Sequence, residues 1–243
     1  MANYIFHSAD SRGHANHGWL DAHHSFSFAG YQNRDRMHFG VLRVLNDDKI
    51  AGGMGFGAHP HDNMEIITIP LEGQLLHKDN MGNTGEVLVA GDVQVMSAGT
   101  GVVHSEYNNG KTDLKLLQIW LFPNKQNVKP RYGQIRLNVA ERQNRFQQIL
   151  SPNEHDEGVW IHQDAWFSLG KFDAGREEHY TIRRPGNGVY AFLISGKAVI
   201  NGQELHARDA YGIWDTDGFD ISFLENDTEI LLMDVPMELP FAN

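Results

Sequence analysis

Short β-forming segments, each closed off by Gly, Asn or Asp, recur along the whole chain and set the strongest limit on its fold. In the first half they are Phe39–Leu45, Met64–Leu71, Val87–Val89, Val93–Met96, Val102–Glu106 and Leu114–Leu121. In the second half they are Trp166–Phe172, Glu177–Arg183, Val189–Ile194, Lys197–Ile200, Ala210–Trp214, Phe219–Leu224 and Thr228–Asp234. Segments this short, broken at close to a rhythm of ~8–12 residues, form antiparallel sandwiches or barrels. Asn201-Gly202 reads as a hairpin turn because both residues tolerate positive φ, and Gly91-Asp92 reads as a similar one.

A length of 243 residues allows one large domain or two small ones, at roughly 150 residues per domain. Asn138–Leu150, rich in Gln, Arg and Asn and followed by Ser151-Pro152, reads as a helical linker between two β-rich halves. Those halves echo each other. Leu71-Glu72-Gly73 answers Ile194-Ser195-Gly196, and Gly91-Asp92-Val93 answers Arg208-Asp209-Ala210, which points to a degenerate internal duplication.

Composition removes several function classes. With 41% apolar residues the chain is not a disordered one. Twenty Lys and Arg against 31 Asp and Glu give a net charge of −11, which opposes direct binding to nucleic acid or an anionic membrane. There is no Cys, so disulfides, thiolate nucleophiles and Cys-based metal sites are excluded together. Met1–Gly13 has no apolar run behind a basic start, and no stretch reaches the ~18 apolar residues of a membrane helix, so the expected location is cytoplasmic.

Ten of the 14 His precede residue 105, which places the chemistry in the first half. His59 and His61 stand two apart, so on an extended strand both imidazoles project to one face. His104 and Glu106 repeat that spacing behind Gly99-Thr100-Gly101. If both strands line one barrel, three imidazole nitrogens and one carboxylate oxygen converge, a set suited to iron(II), manganese, nickel, copper or zinc. The Gly-rich run 52–57 lacks the Lys and helix of a phosphate-binding loop, and its expected use is to turn the backbone tightly into the ligand strand. Met54, Phe56, Met64 and Trp120 are candidates for an apolar pocket lining. His23 and His24 read as packed or surface residues that fix the N-terminal segment, the alternative being that one borders the pocket. His77, with Asp79, stays outside the expected site.

Gly53-x5-His59-x-His61-x3-Glu65-x7-Gly73 resembles the first cupin motif, and Gly91-x7-Gly99-x-Gly101-x2-His104-x3-Asn108 resembles the second. The stretched spacing from Gly91 to Gly99 and the segments His23–Phe28, Phe39–Asn46, His59–Glu65 and Ala98–Glu106 look like the pirin branch of that superfamily. The resemblance implies an all-β bicupin: two antiparallel β-barrel or jelly-roll domains packed together, an N-terminal metal-binding one over 1–134 and a degenerate, metal-free one over 135–243. It places the metal ligands on His59, His61, His104 and Glu106. Glu65 falls where many other cupins carry their carboxylate ligand, and here it is expected to orient a ligand or to serve structure. The implied cofactor is one divalent transition metal ion per chain, iron(II) first, with manganese, nickel, copper, cobalt or zinc as the other candidates. The implied activity is that of a quercetin 2,3-dioxygenase, with Glu106 as general base and with a small aromatic substrate and dioxygen as partners, on a monomeric protein. The other reading is a non-enzymatic, redox-sensing regulator that acts through a basic protein partner rather than directly on nucleic acid.

Overall fold

The computed structural model describes residues 2–240, and almost every element in it is a strand. In the first half, a seven-stranded antiparallel sheet runs in the order Arg131–Arg136, Asp92–Ser97, Glu65–Glu72, Leu114–Leu121, Leu42–Ile50, Leu20–His24, Gly13–Asn16. A four-stranded sheet, ordered Gly55–His61, Val102–Tyr107, Gln74–Asp79, Glu86–Val89, closes over it. Leu20, Ile50, Leu75, Leu88, Leu114 and Leu116 come from both sheets and fill the space between them.

The second half repeats the plan. Its large sheet runs Asn3–His7, Ala210–Trp214, Asn187–Ser195, Thr228–Pro236, Trp166–Phe172, Phe146–Ser151, Val159–Trp160, the last pair being parallel. Its small sheet runs Glu177–Thr181, Gly218–Phe223, Lys197–Ile200, Gln203–His206. The echoes in the sequence mark equivalent turns: Gly73 and Gly196 both take positive φ, at 79° and 80°. Asp92 Oδ2 accepts from the Val89 amide at 3.0 Å, and Asp209 Oδ2 accepts from the His206 amide at 2.8 Å. Each carboxylate thus closes a hairpin on the amide three residues back. The molecule is an all-β bicupin.

The two large sheets meet face to face. Phe26, Leu45, Ile67, Ile119, Phe167, Tyr190 and Phe192 belong to one continuous buried cluster drawn from both halves. Polar links cross the same seam, with Arg12 at 3.1 Å and Arg208 at 3.0 Å from the Asp47 carboxylate and the Val41 amide donating to Pro236 O at 2.9 Å. The first strand, Asn3–His7, does not stay with its own half but pairs with Ala210–Trp214. At the other end of the first half, the boundary expected between 134 and 135 falls inside the Arg131–Arg136 strand, which pairs with Asp92–Ser97.

The expected helical linker is not formed. Asn138–Leu150 holds one short 3₁₀ turn, Val139–Arg142, whose Ala140 amide donates to Asn138 Oδ1, and then enters the Phe146–Ser151 strand. Helix propensity in Gln and Arg is weak against the pairing of that strand with Trp166–Phe172, which buries Ile149 and Leu150 in the seam. The strand expected at Phe39–Leu45 also shifts, to Leu42–Ile50, because Phe39-Gly40 is a turn with Gly40 at φ 51°. A side chain at Gly40 would lie 2.2 Å from Pro236 O. The polar run Asn46–Lys49 is thus the second half of a strand. Among the described residues no helix is long and apolar enough to cross a membrane.

Because Phe167 is fully buried in the seam, Phe167→Ala is expected to remove about 3–5 kcal/mol of stability, read as a lower urea midpoint.

Candidate metal centre

The ligand strands pair directly. Gly55–His61 lies antiparallel to Val102–Tyr107 with His59 opposite His104, and the register slips between His104 and Glu106 so that Glu106 comes opposite Phe56. This close pairing depends on Gly55, where a side chain would sit 2.2 Å from the Glu106 carbonyl oxygen. The Gly-rich run therefore serves backbone approach, as its sequence suggests. The three imidazoles form a near-equilateral triangle, with ring centroids 4.8 Å apart for His59 and His61, 4.4 Å for His59 and His104, and 4.9 Å for His61 and His104. One nitrogen of each lies within 4.8 Å of the others.

Hydrogen bonding leaves the right atoms free. His59 Nδ1 is 2.8 Å from the Gly57 carbonyl, which can only accept, so Nδ1 carries a proton and Nε2 is the nitrogen available to a metal. Both nitrogens of His104 are buried with no partner, a cost that a metal ion at this point would remove. Burial, with the neighbouring imidazoles adding to it, lowers His61 to a pKa of about 4 and His104 to about 3. Both rings are neutral at neutral pH, the form that binds a metal.

Glu106 is wholly enclosed, and burial raises its carboxyl above the ordinary range while Gln118 Nε2 donates to Oε2 at 2.9 Å. It falls outside the group formed by His59, His61 and His104, with which it was expected to converge, and shares a second cluster with His104 and His77, a residue that sequence reasoning set aside. Gln94 Nε2 lies 3.1 Å from His77 Nδ1, and Asp79 Oδ2 lies 3.0 Å from His77 Nε2. The amide donates and the carboxylate accepts, so His77 spends its lone pair on Gln94 and its proton on Asp79. It packs beside the site with no nitrogen left to coordinate. The signal was present in the sequence as a third two-residue spacing, His77-x-Asp79.

Glu65 lies on the wrong side of its strand. In Glu65–Glu72, Ile66 packs within the first barrel with Met96 and Val102, whereas Ile67 and Ile69 face the seam, and the alternation sends Glu65 with them. Its Oε2 accepts from Ser97 Oγ at 2.7 Å and burial raises its pKa to about 7. The expectation that it orients a ligand histidine gives way to a structural role at the seam, near Arg131.

Above the imidazoles lies a cleft of about 1200 Å³. Its walls are aromatic, with Trp19, Phe28, Tyr31, Phe56 and Trp120, and Tyr31 lies so close over Gly13 that a side chain there would meet its ring at 2.3 Å. Its polar lining is His24, Asn46, Asp48, Glu106 and Gln118, with His24 Nδ1 2.8 Å from Asn46 Oδ1. Of the expected lining, Phe56 and Trp120 are on the wall. Met54 is 42% exposed and Met64 packs against Ile66 and Met96. Asp48 Oδ1 is buried without a partner, and burial, reinforced by Asp47 and Glu106, raises this carboxyl to a pKa of about 8. The equivalent space in the second barrel is packed with Tyr180, Phe219, Ile221 and Phe223. His179, the one imidazole near a corresponding position, is half exposed and bonded to Asp220 at 2.6 Å.

Two packed cupin barrels, the first lined by neutral imidazoles that fit a divalent ion, define the class as a metal-binding bicupin. The chain belongs to the pirin family: the Pirin family model matches residues 6–121, and that of the quercetinase C-terminal cupin domain matches residues 148–235. A quercetin 2,3-dioxygenase of Escherichia coli (strain K12) is 43% identical over 233 residues, covering 94% of this chain and 96% of that protein. A pirin-like protein of Caulobacter vibrioides is 41% identical over 226 residues, covering 93% and 96%. The crystal structure of a bacterial pirin from Escherichia coli in complex with nickel(II) superposes with a TM-score of 0.90 at 40% identity, covering 96% of this chain and 99% of that one.

The placement of Glu65 predicts that Glu65→Gln takes up a divalent ion as the parent does, measured by elemental analysis after reconstitution.

Proposed function

We propose that this chain is a metal-dependent dioxygenase that opens the heterocyclic ring of a flavonol such as quercetin with release of carbon monoxide. The observation that carries the reading is the triangle of His59, His61 and His104 beside an aromatic cleft, with the buried Glu106 next to His104. The relatives named quercetin 2,3-dioxygenase support it. In this reading the ligands are His59, His61, His104 and Glu106, and the ion is iron(II), with manganese, nickel, copper, cobalt or zinc as alternatives that the donor set also accommodates. The bound ion supplies Lewis acidity toward the flavonol 3-hydroxyl and, if it is iron or copper, redox contact with dioxygen.

The remaining work falls to side chains. Trp19, Phe28, Tyr31, Phe56 and Trp120 supply flat apolar walls for the fused rings and keep water from the reacting carbon. Glu106, where it swings partly off the ion, takes the proton of the 3-hydroxyl as general base. Gln118 holds the carboxylate oriented by donating to Oε2. Asn46 and Asp48 face the same space and offer hydrogen bonds to ring hydroxyls.

The test is quercetin consumption under air with carbon monoxide detected, on protein reconstituted separately with iron(II), manganese, cobalt, nickel and copper. His104→Ala should lose both bound metal and turnover. Glu106→Gln should lower turnover by about 10²–10⁴-fold, the range for a positioned general base. Full metal content and full activity in His104→Ala would overturn the ligand assignment. Loaded protein that never turns over would favour the regulator reading and a redox-dependent protein partner.

A further inference from the structure

A second group of metal-binding side chains lies at the rim of the cleft, on the two outer strands of the sheet. His14 and His23 stand directly opposite each other on the paired strands Gly13–Asn16 and Leu20–His24, their rings stacked at 4.6 Å with an interplanar angle of 20°. Asp21, two residues before His23, projects to the same face, and its Oδ1 lies 2.6 Å from His14 Nε2. One ligand atom from each of the three lies within 4.8 Å of the other two. We propose that His14, Asp21 and His23 form a second binding site for a divalent transition metal ion, open to solvent and separate from the centre in the cleft.

Register excludes a shared site. His14 borders the rim of the cleft, but Leu20, Ala22 and His24 line it, so Asp21 and His23 point to the opposite face of the sheet, away from His59, His61 and His104. Two imidazoles and a carboxylate, with water completing the shell, make a set of borderline hardness suited to zinc, nickel or copper(II). An ion would replace the proton shared by His14 Nε2 and Asp21. The nearby charges leave the three free to do this. Lys49 reaches Asp21 only at 3.9 Å, and Arg12 and Arg208 are both engaged by Asp47, the neighbour of His23 on the next strand. An ion here would tie the edge strand Gly13–Asn16 to the strand whose other face is a wall of the cleft.

The experiment is calorimetric titration of untagged, metal-free protein with zinc(II) at pH 7.5, with bound zinc counted after gel filtration. Two ions per chain are expected in the parent. One is expected in His14→Ala and in His23→Ala, with unchanged circular dichroism, and one in His104→Ala, which keeps the surface site. If alanine disturbs the strand pairing, His14→Gln, which still donates to Asp21, serves in its place and should also bind one ion. Fewer than two ions in the parent, or two ions retained in a folded His14 or His23 variant, would overturn the proposal. Because no substrate enters the measurement, its result does not depend on whether the protein is a dioxygenase.

Discussion

The central strands of the seven-stranded sheet of the first half are buried on both faces, and they must sort their side chains by alternation. One face meets the second barrel, and the other looks into the first. Asp47 goes to the seam, where two arginines neutralise it, while Asp48 goes into the cleft with no partner for Oδ1. Glu65 is sent away from the imidazoles by the same rule, even though it lies only four residues from His61. A slip of one residue in any of these strands would exchange the two sets and destroy both the seam and the cleft together.

The cleft is costly to build. The site buries the His104 imidazole with neither nitrogen bonded, a carboxyl at Glu106 and another at Asp48, all in positions where burial opposes charge. A closed barrel can hold such groups because the apolar seam and the packed second barrel carry the stability. The second barrel shows the alternative use of the same plan, with aromatic and aliphatic side chains where the first has its cluster of imidazoles. Duplication thus yields one half that is well packed and one that is reactive, with the first resting on the second.

Much of this was legible in the sequence. The β-rich rhythm, the duplicated turns at Gly73 and Gly196, and the paired spacings at His59/His61 and His104/Glu106 are local signals, and local signals survive folding. What escaped was set by tertiary pairing. Asn46–Lys49 looks like a loop because its residues are polar, yet it is a strand because half of those residues face a polar cleft. Gln147 and Gln148 favour a helix only until Trp166–Phe172 offers an edge. His77 could not be distinguished from a surface histidine, since its partner Gln94 lies on a strand whose neighbours are known only once the barrel is closed.

The pairing of Asn3–His7 with Ala210–Trp214 also bears on how the chain is made. Asn3–His7 finds its partner about two hundred residues further along the chain, so this edge of the second sheet cannot close until Ala210–Trp214 has been made. Until then the first barrel carries an unclaimed β-strand at its start. The seam forms around contacts of very long sequence separation, which makes closure of the molecule a late and slow event in its folding. A chain truncated before residue 210 would leave this strand exposed as a template for association with other chains.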